Sequence, residues 1–213
     1  MQIQSLGGTT NSGFLVQSNT FDSVALLVIG LNNLLITGNY FNNKTLGNVV
    51  SILVAPSIGA GANANAESVT IDSNTLDGSF MGGNGVLISG ISQDPGIIGE
   101  VHNFTISNNT LKGSGASIDL QSFDPTCLNN ASFCPALSTT LNSKILNNTL
   151  TSLWTGSSIN IQGGASGVVN GVLVQGNTLS NTRAGATDQI TSDSHTYNAT
   201  LIGNFLSSEA DRK

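Results

Sequence analysis

The chain contains few charged residues, few aromatic residues and few prolines. Of its 213 residues, 8% are charged, 5% are aromatic and four are proline, whereas about a quarter of the residues are charged in ordinary soluble domains. Apolar residues make up 38% of the chain, so the shortage of charge does not indicate disorder. Glycine, asparagine, serine and threonine replace the charged residues, which is typical of tight turns and of polar surfaces without ion pairs.

The scarcity of basic residues excludes two classes of partner. Six lysines and arginines stand against 12 acidic residues, and the net charge is −6. Phosphate groups are bound by clustered basic side chains, so we predict neither nucleic acid nor an anionic membrane surface as a partner. Since no apolar run reaches the roughly 18 residues of a membrane span, we also predict no membrane insertion.

Cysteine is also scarce. The two cysteines, Cys127 and Cys134, have six residues between them in one polar segment. A local disulfide is one interpretation, and it fits an oxidising compartment and therefore a secreted or cell-surface location. Two reduced, inert thiols are the alternative, because spacing alone does not fix pairing.

A recurring sequence motif is the strongest signal in the sequence. Residues 69–78 read VTIDSNTLDG, and residues 104–113 read FTISNNTLKG. Five further segments share this skeleton, and the spacings between successive copies are 20, 35, 35, 39, 29 and 27 residues. The asparagines that anchor the seven copies are Asn19, Asn39, Asn74, Asn109, Asn148, Asn177 and Asn204.

Alternation of apolar and polar residues makes each copy a short β-strand. One predicted inward column is Phe14, Leu34, Val69, Phe104, Ser143, Val172 and Ala199. A second column is Val16, Ile36, Ile71, Ile106, Ile145, Val174 and Leu201, and a third is Phe21, Phe41, Leu76, Leu111, Leu150, Leu179 and Leu206. A second strand-like run follows the first six copies, at 24–30, 49–55, 85–90, 116–121, 157–162 and 188–191.

These repeats predict an all-β parallel solenoid, with one coil turn, or rung, per repeat. We expect a single domain over residues 1–213, with about seven rungs between residues 14 and 206. Asparagine at a corner tolerates left-handed backbone conformations, and stacked side-chain amides satisfy one another along the coil. The anchoring asparagines are therefore interpreted as a structural ladder and not as catalytic groups.

The I-x-x-N-x-[FL] corner on rungs of this length resembles the right-handed parallel β-helix, pectate-lyase-like superfamily. The resemblance covers about residues 14–206 and implies a right-handed, single-stranded coil. The superfamily contains lyases, hydrolases, epimerases, tailspikes, adhesins and scaffolds, so the fold alone assigns no activity. The chain lacks the NTD, DD, GHG and RIK segments of polygalacturonases, and we name no catalytic residue.

Long insertions at about 55–68, 91–102, 122–142, 163–171 and 192–198 are expected to stack as loops and to form a wall along one flank. A wall beside a flat sheet makes a groove suited to a polysaccharide chain. Phe80, Trp154 and Arg183 lie in the turns on the opposite flank, and Asp119 occupies an outward position of a second strand. These four residues are the ligand-binding candidates. Trp154 is interpreted either as a sugar-stacking side chain beside the carboxylate-binding Arg183, or as packing under its own turn.

Acidic side chains suggest one metal site. Asp72, with Asp77 and Asp119 on the same or a later rung, offers oxygens for one calcium ion. The alternative is that these are solvated polar side chains. No other cofactor is predicted.

Five leucines on the first rungs, at positions 15, 27, 35, 53 and 87, are predicted to point outward. An exposed apolar stripe usually has a partner. We therefore expect either self-association through the N-terminal rungs, or that the chain is the C-terminal part of a longer β-helix.

Two functions remain open from the sequence. The first is an extracellular, non-catalytic scaffold or adhesin-type module that binds glycans or other subunits. The alternative is a polysaccharide lyase, hydrolase or epimerase with its site in the loop-walled groove. The absence of paired carboxylates on neighbouring rungs favours the first.

Overall fold

A computed structural model describes residues 1–4, 11–42, 49–55, 64–78, 83–89, 99–122, 138–153, 155–164, 167–182 and 186–207. These residues form 28 short strands and contain no helix. Accordingly, none of the described residues lies in a helix that could cross a membrane. The strand pairs are parallel, and each strand pairs with the strand that lies four positions away along the chain. Four successive strands therefore make one rung.

The first and second strands of each rung lie in three sheets. Sheet A contains β1 (Gln2–Gln4), β5 (Leu26–Ile29), β9 (Val49–Ala55), β13 (Gly83–Ser89), β17 (Ser117–Gln121), β21 (Ser158–Gln162) and β25 (Gln189–Ser192). The second strands begin as a pair, β2 (Asn11–Ser12) and β6 (Leu31–Asn32). They continue as sheet B, with β10 (Ala64–Glu67), β14 (Gly99–His102), β18 (Ser138–Leu141), β22 (Gly167–Asn170) and β26 (Thr196–Tyr197).

The third and fourth strands form two seven-stranded sheets. Sheet C contains β3 (Leu15–Gln17), β7 (Leu35–Thr37), β11 (Thr70–Asp72), β15 (Thr105–Ser107), β19 (Lys144–Leu146), β23 (Leu173–Gln175) and β27 (Thr200–Ile202). Sheet D contains β4 (Thr20–Asp22), β8 (Tyr40–Asn42), β12 (Thr75–Gly78), β16 (Thr110–Gly113), β20 (Thr149–Ser152), β24 (Thr178–Asn181) and β28 (Phe205–Ser207).

The predicted fold is confirmed: the chain is a parallel β-helix of seven rungs. The two motif copies at residues 69–78 and 104–113 lie directly above one another, with Thr70 opposite Thr105 and Thr75 opposite Thr110. Each of the six predicted second runs overlaps a sheet A strand. Strand β1 was missed because its three residues carry too little pattern to be recognised. The handedness of the coil stays a prediction from the family resemblance.

The core consists of apolar columns that run along the coil axis. Ile36, Ile71, Ile106 and Ile145 are fully or almost fully buried in sheet C. In sheet D, the Phe21 and Phe41 rings stack with their centroids 4.5 Å apart and an angle of 9° between their planes. The predicted inward columns are thus confirmed in the middle rungs, but Phe14, Leu201 and Leu206 are exposed in the first and seventh rungs.

The anchoring asparagines form a continuous hydrogen-bonded ladder, as predicted. The amide of Asn109 is typical: its Nδ2 donates to the Ile71 carbonyl (2.9 Å) and to Asn148 Oδ1 (3.0 Å). Its own Oδ1 accepts bonds from the backbone nitrogen and from Nδ2 of Asn74, at 2.9 and 3.0 Å. The same pattern joins Asn19 to Asn39, Asn39 to Asn74, Asn148 to Asn177 and Asn177 to Asn204.

The predicted left-handed conformation lies one residue earlier than expected. The residue before each anchoring asparagine has a positive φ, and these residues are Ser18, Gly38, Ser73, Asn108, Asn147, Gly176 and Gly203. A second such column precedes sheet C at Gly13, Asn33, Ser68, Asn103, Asn142, Gly171 and Asn198. Glycine, asparagine and serine tolerate this region better than branched residues. The anchoring asparagine itself turns its side chain inward, where the ladder needs it.

The predicted insertions were placed too broadly. The last residues of these segments form sheet B strands, for example β14 at Gly99–His102 and β18 at Ser138–Leu141. A loop pattern was expected because these strands are polar and short. The remaining parts of the first three insertions, at 56–63, 91–98 and 123–137, lie outside the described residues, and the predicted loop wall stays a prediction.

The leucine stripe is two separate patches. Leu15 and Leu35 are exposed on sheet C, whereas Leu27 and Leu53 are half-buried and pair in register on sheet A. Leu87 follows Leu53 in that register, but its side chain lies outside the described residues. The error came from combining outward positions of two different strands into one surface.

Candidate functional site

The outer surface of sheet A changes character along the coil. In the register of this sheet, one column of paired residues runs through Leu27, Leu53, Leu87, Asp119, Asn160 and Thr191. It is apolar in rungs two to four and polar in rungs five to seven. We name the outward side chains of the last three strands the polar face, and they are Ser117, Asp119, Gln121, Ser158, Asn160, Gln162, Gln189 and Thr191.

The polar face is built by strict alternation. Between its members, Ile118, Leu120, Ile159 and Ile161 are completely buried and hold the strands against the core. The in-register pairing of β17, β21 and β25 then places equivalent side chains about 4.8 Å apart, the usual strand separation. The result is a flat array of hydroxyl, amide and carboxyl groups.

Hydrogen bonds connect the central column of this face. Thr191 Oγ1 donates to Asn160 Oδ1 at 2.7 Å, and Asn160 Nδ2 donates to Asp119 Oδ1 at 2.6 Å. Asn160 Nδ2 also lies 3.2 Å from Ser158 Oγ, and Ser117 donates to Asp119 from its own strand. This chain fixes the orientation of the Asn160 amide and directs its donors towards the carboxylate.

Asp119 is the titratable group of the polar face. Burial raises the pKa of its carboxyl above the ordinary range, and the hydrogen bonds from Asn160 and Ser117 only partly offset that rise. A half-buried carboxyl with a raised pKa accepts hydrogen bonds from ligand hydroxyls, or acts as a general acid if a reacting group is placed beside it.

Only part of the predicted ligand site falls within the described structure. Asp119 lies in the central column of the polar face, on the first of its three strands, and its outward position agrees with the sequence pattern. Phe80, Trp154 and Arg183 lie outside the described residues, and so do Cys127 and Cys134, so their roles stay predictions. Asn160 and Thr191 were not selected from the sequence, although the same alternation that selected Asp119 contains them.

Asp72 lies on sheet C and is surrounded by donors. Its Oδ1 accepts bonds from Ser107 Oγ (2.6 Å) and Asn108 Nδ2 (2.8 Å), and its Oδ2 from Ser73 Oγ (2.8 Å). Burial raises the pKa of Asp72, but these three bonds outweigh it and hold the pKa below its ordinary value. The described residues contain no cluster of three or more histidine, cysteine or acidic side chains suited to a metal, and calcium stays a prediction.

The Asp193 carboxylate stabilises a turn at the edge of the polar face. Asp193 accepts bonds from the backbone nitrogens of Gly163 (3.1 Å), Gly164 (2.7 Å) and His195 (3.0 Å) and from Thr196 Oγ1 (3.0 Å). Burial raises its pKa, but the four donors outweigh this and lower it below the ordinary value. The carboxylate therefore ties the sixth rung to the seventh.

We expect Asp193→Asn to lower the free energy of unfolding at pH 7 by about 1–2 kcal/mol. The substitution replaces a charged carboxylate, which accepts four hydrogen bonds, with a neutral amide that has only one acceptor oxygen. Since the folded pKa lies below the unfolded value of about 3.9, this stabilisation is present above pH 4 and is lost as the pH falls through the folded pKa. Urea unfolding at pH 7 and pH 3 checks both statements. Asp22→Asn, at an exposed position, is the matched control, and an equal loss for both variants contradicts the role of Asp193.

A column of threonines on sheet D was overlooked. Outward positions of this sheet are occupied by Thr20, Tyr40, Thr75, Thr110, Thr149, Thr178 and Phe205, which pair in register. The signal was present in the sequence, since threonine directly follows five of the seven anchoring asparagines. It was missed because outward positions were compared only before each asparagine and in the second run.

The chain was also compared with known proteins. No family model, curated protein or solved structure matches it. The candidate site therefore depends on its geometry alone.

Proposed function

We propose that the chain is an extracellular, non-catalytic β-helix module of the scaffold or adhesin type, which binds a polysaccharide or cell-surface glycan through the polar face. The observation that carries this proposal is the in-register array of Asp119, Asn160 and Thr191 with the glutamines beside it. Amide, hydroxyl and carboxyl groups are suited to sugar hydroxyls, which both donate and accept hydrogen bonds. The flat β-sheet presents them at regular spacing to an extended chain.

The experiment is affinity electrophoresis of the chain through gels that contain galactan, xylan, β-glucan or polygalacturonate. The variant Asn160→Ala is expected to weaken the retarding interaction about tenfold, because loss of one well-placed amide removes roughly 1–1.5 kcal/mol of binding. Thr105→Ala on sheet C is the matched control and is expected to migrate like the unchanged chain. Absence of retardation by all four polymers, or equal weakening by both variants, contradicts the proposal.

A catalytic alternative is favoured by one observation, the raised pKa of the half-buried Asp119. A carboxyl of this kind acts as a general acid in polysaccharide hydrolysis or elimination. The test is release of reducing ends, or of an absorbing unsaturated uronate, from the same four polymers. If Asp119→Asn abolishes such release and leaves gel retardation unchanged, the chain is an enzyme; no release from any polymer supports the binding module.

A further inference from the structure

The first and seventh rungs carry complementary halves of the asparagine ladder. Asn204 Oδ1 accepts two bonds from Asn177, at 3.0 and 2.9 Å, but the Asn204 backbone N–H has no acceptor among the described residues. Asn19 donates its backbone N–H and its Nδ2 to Asn39 Oδ1, and its own Oδ1 receives no bond from any described residue. One end of the ladder therefore has a vacant donor, and the other has a vacant acceptor.

Apolar side chains are exposed beside these groups. Leu201 and Leu206 continue the inward columns of sheets C and D, yet they are 54% and 42% exposed on the seventh rung. Phe205 beside them is 60% exposed. On the first rung, Phe14 begins an inward column and is 36% exposed. Exposed apolar groups next to unpaired strand edges are typical of a surface that pairs with another chain.

The strand arrangement at the two ends matches. The seventh rung presents β25, β26, β27 and β28 as the outermost strands, and the first rung presents β1, β2, β3 and β4 in the same order. Inside the coil, the backbone nitrogen of Gly176 donates to the Ile202 carbonyl on the next rung (3.0 Å). The equivalent bond from Gly203 would reach the Gln17 carbonyl of a following coil, just as Asn204 would reach Asn19.

We propose that the seventh rung of one copy stacks on the first rung of a second copy, so that sheets A, C and D and the ladder continue across the junction. This interface is heterologous, because each copy uses a different surface at each end, and it propagates into a linear assembly. The proposal extends the scaffold function by naming the subunit and the two surfaces that join. It does not depend on glycan binding.

The experiment uses two variants, each with one blocked end. Phe14→Glu blocks the first rung, and Leu201→Glu blocks the seventh rung; both place charge on an exposed apolar position. In sedimentation velocity, the unchanged chain is expected to increase in average mass with concentration, and each variant alone is expected to stay at the mass of one chain. An equimolar mixture is expected to give a dimer of twice that mass, because the two unblocked ends join.

Tyr40→Glu on the outer face of sheet D is the control and is expected to associate like the unchanged chain. Circular dichroism establishes that each variant is folded, and Leu206→Glu, at the exposed end of the inward column of sheet D, replaces Leu201→Glu if the latter is not. A monomeric unchanged chain, a mixture without dimer, or loss of association in Tyr40→Glu overturns the proposal. Gel retardation of the two variants by polysaccharide is expected to be unchanged, so failure of the stacking and failure of glycan binding are distinguished.

Discussion

Replacing Asn109 with alanine is expected to lower the free energy of unfolding by about 3–5 kcal/mol. The side chain is 1% exposed, and its removal leaves the Asn74 backbone N–H and the Ile71 carbonyl without the partners that Asn109 supplies. Each buried polar group left unsatisfied costs about 1–3 kcal/mol. The lost contacts of the buried amide with its neighbours add to that cost.

The matched control is the same substitution at the exposed end of the ladder. Asn19→Ala removes only bonds that Asn19 Nδ2 donates to Gln17 and Asn39, and water reaches this rung. The expected loss is about 0.5–1 kcal/mol. Equilibrium urea unfolding followed by circular dichroism measures both, and equal costs at the two positions contradict the buried ladder.

Phe104→Ala is expected to cost a similar amount, about 3–5 kcal/mol, for a different reason. Phe104 is completely buried in the inward column that precedes sheet C. The equivalent position on the next rung is Ser143, a small side chain that is also buried. The phenylalanine therefore occupies space that its neighbour does not fill, and the truncation leaves a cavity that the surrounding strands cannot close.

Urea unfolding also checks this result. The control is Lys144→Ala, which removes an exposed outward side chain from the adjacent strand and is expected to change the free energy of unfolding by less than about 0.5 kcal/mol. A loss below about 1 kcal/mol for Phe104→Ala means that the column does not pack as described.

The ladder and the core columns were predictable because they repeat. Because seven copies share one motif, the pattern is clear despite local exceptions. The alternation of Ile71 and Ile106 with polar residues on both sides predicts a β-strand. The register followed directly from aligning the asparagines. A single copy such as SKILNNTL carries much less information on its own.

Short and polar strands were not predictable. Strands β14 and β18 contain few apolar residues, and backbone pairing with neighbouring rungs stabilises them more than their own pattern does. The same holds for β1, which is three residues long. The position of the left-handed residue was also missed, because asparagine, serine and glycine all occur at the corner and only φ distinguishes their roles.

The candidate site was predicted only in part. Asp119 was identified because it is an acidic residue at an outward position of the second strand. Asn160 and Thr191 gained importance only when the register placed them in one hydrogen-bonded chain with Asp119, at separations of 41 residues from Asp119 to Asn160 and 31 from Asn160 to Thr191. These separations along the sequence depend on the lengths of the intervening turns. Composition and periodicity do not specify those lengths.

The most direct test of the β-helix is nuclear magnetic resonance of the chain with ¹⁵N- and ¹³C-labelled asparagine. Couplings across hydrogen bonds are expected from the side-chain nitrogen of Asn74 to the side-chain carbonyl carbon of Asn109, and from Asn109 to Asn148, together with slow exchange of these amide protons. Rapidly exchanging side-chain amides without any coupling between successive anchoring asparagines would contradict the stacked coil.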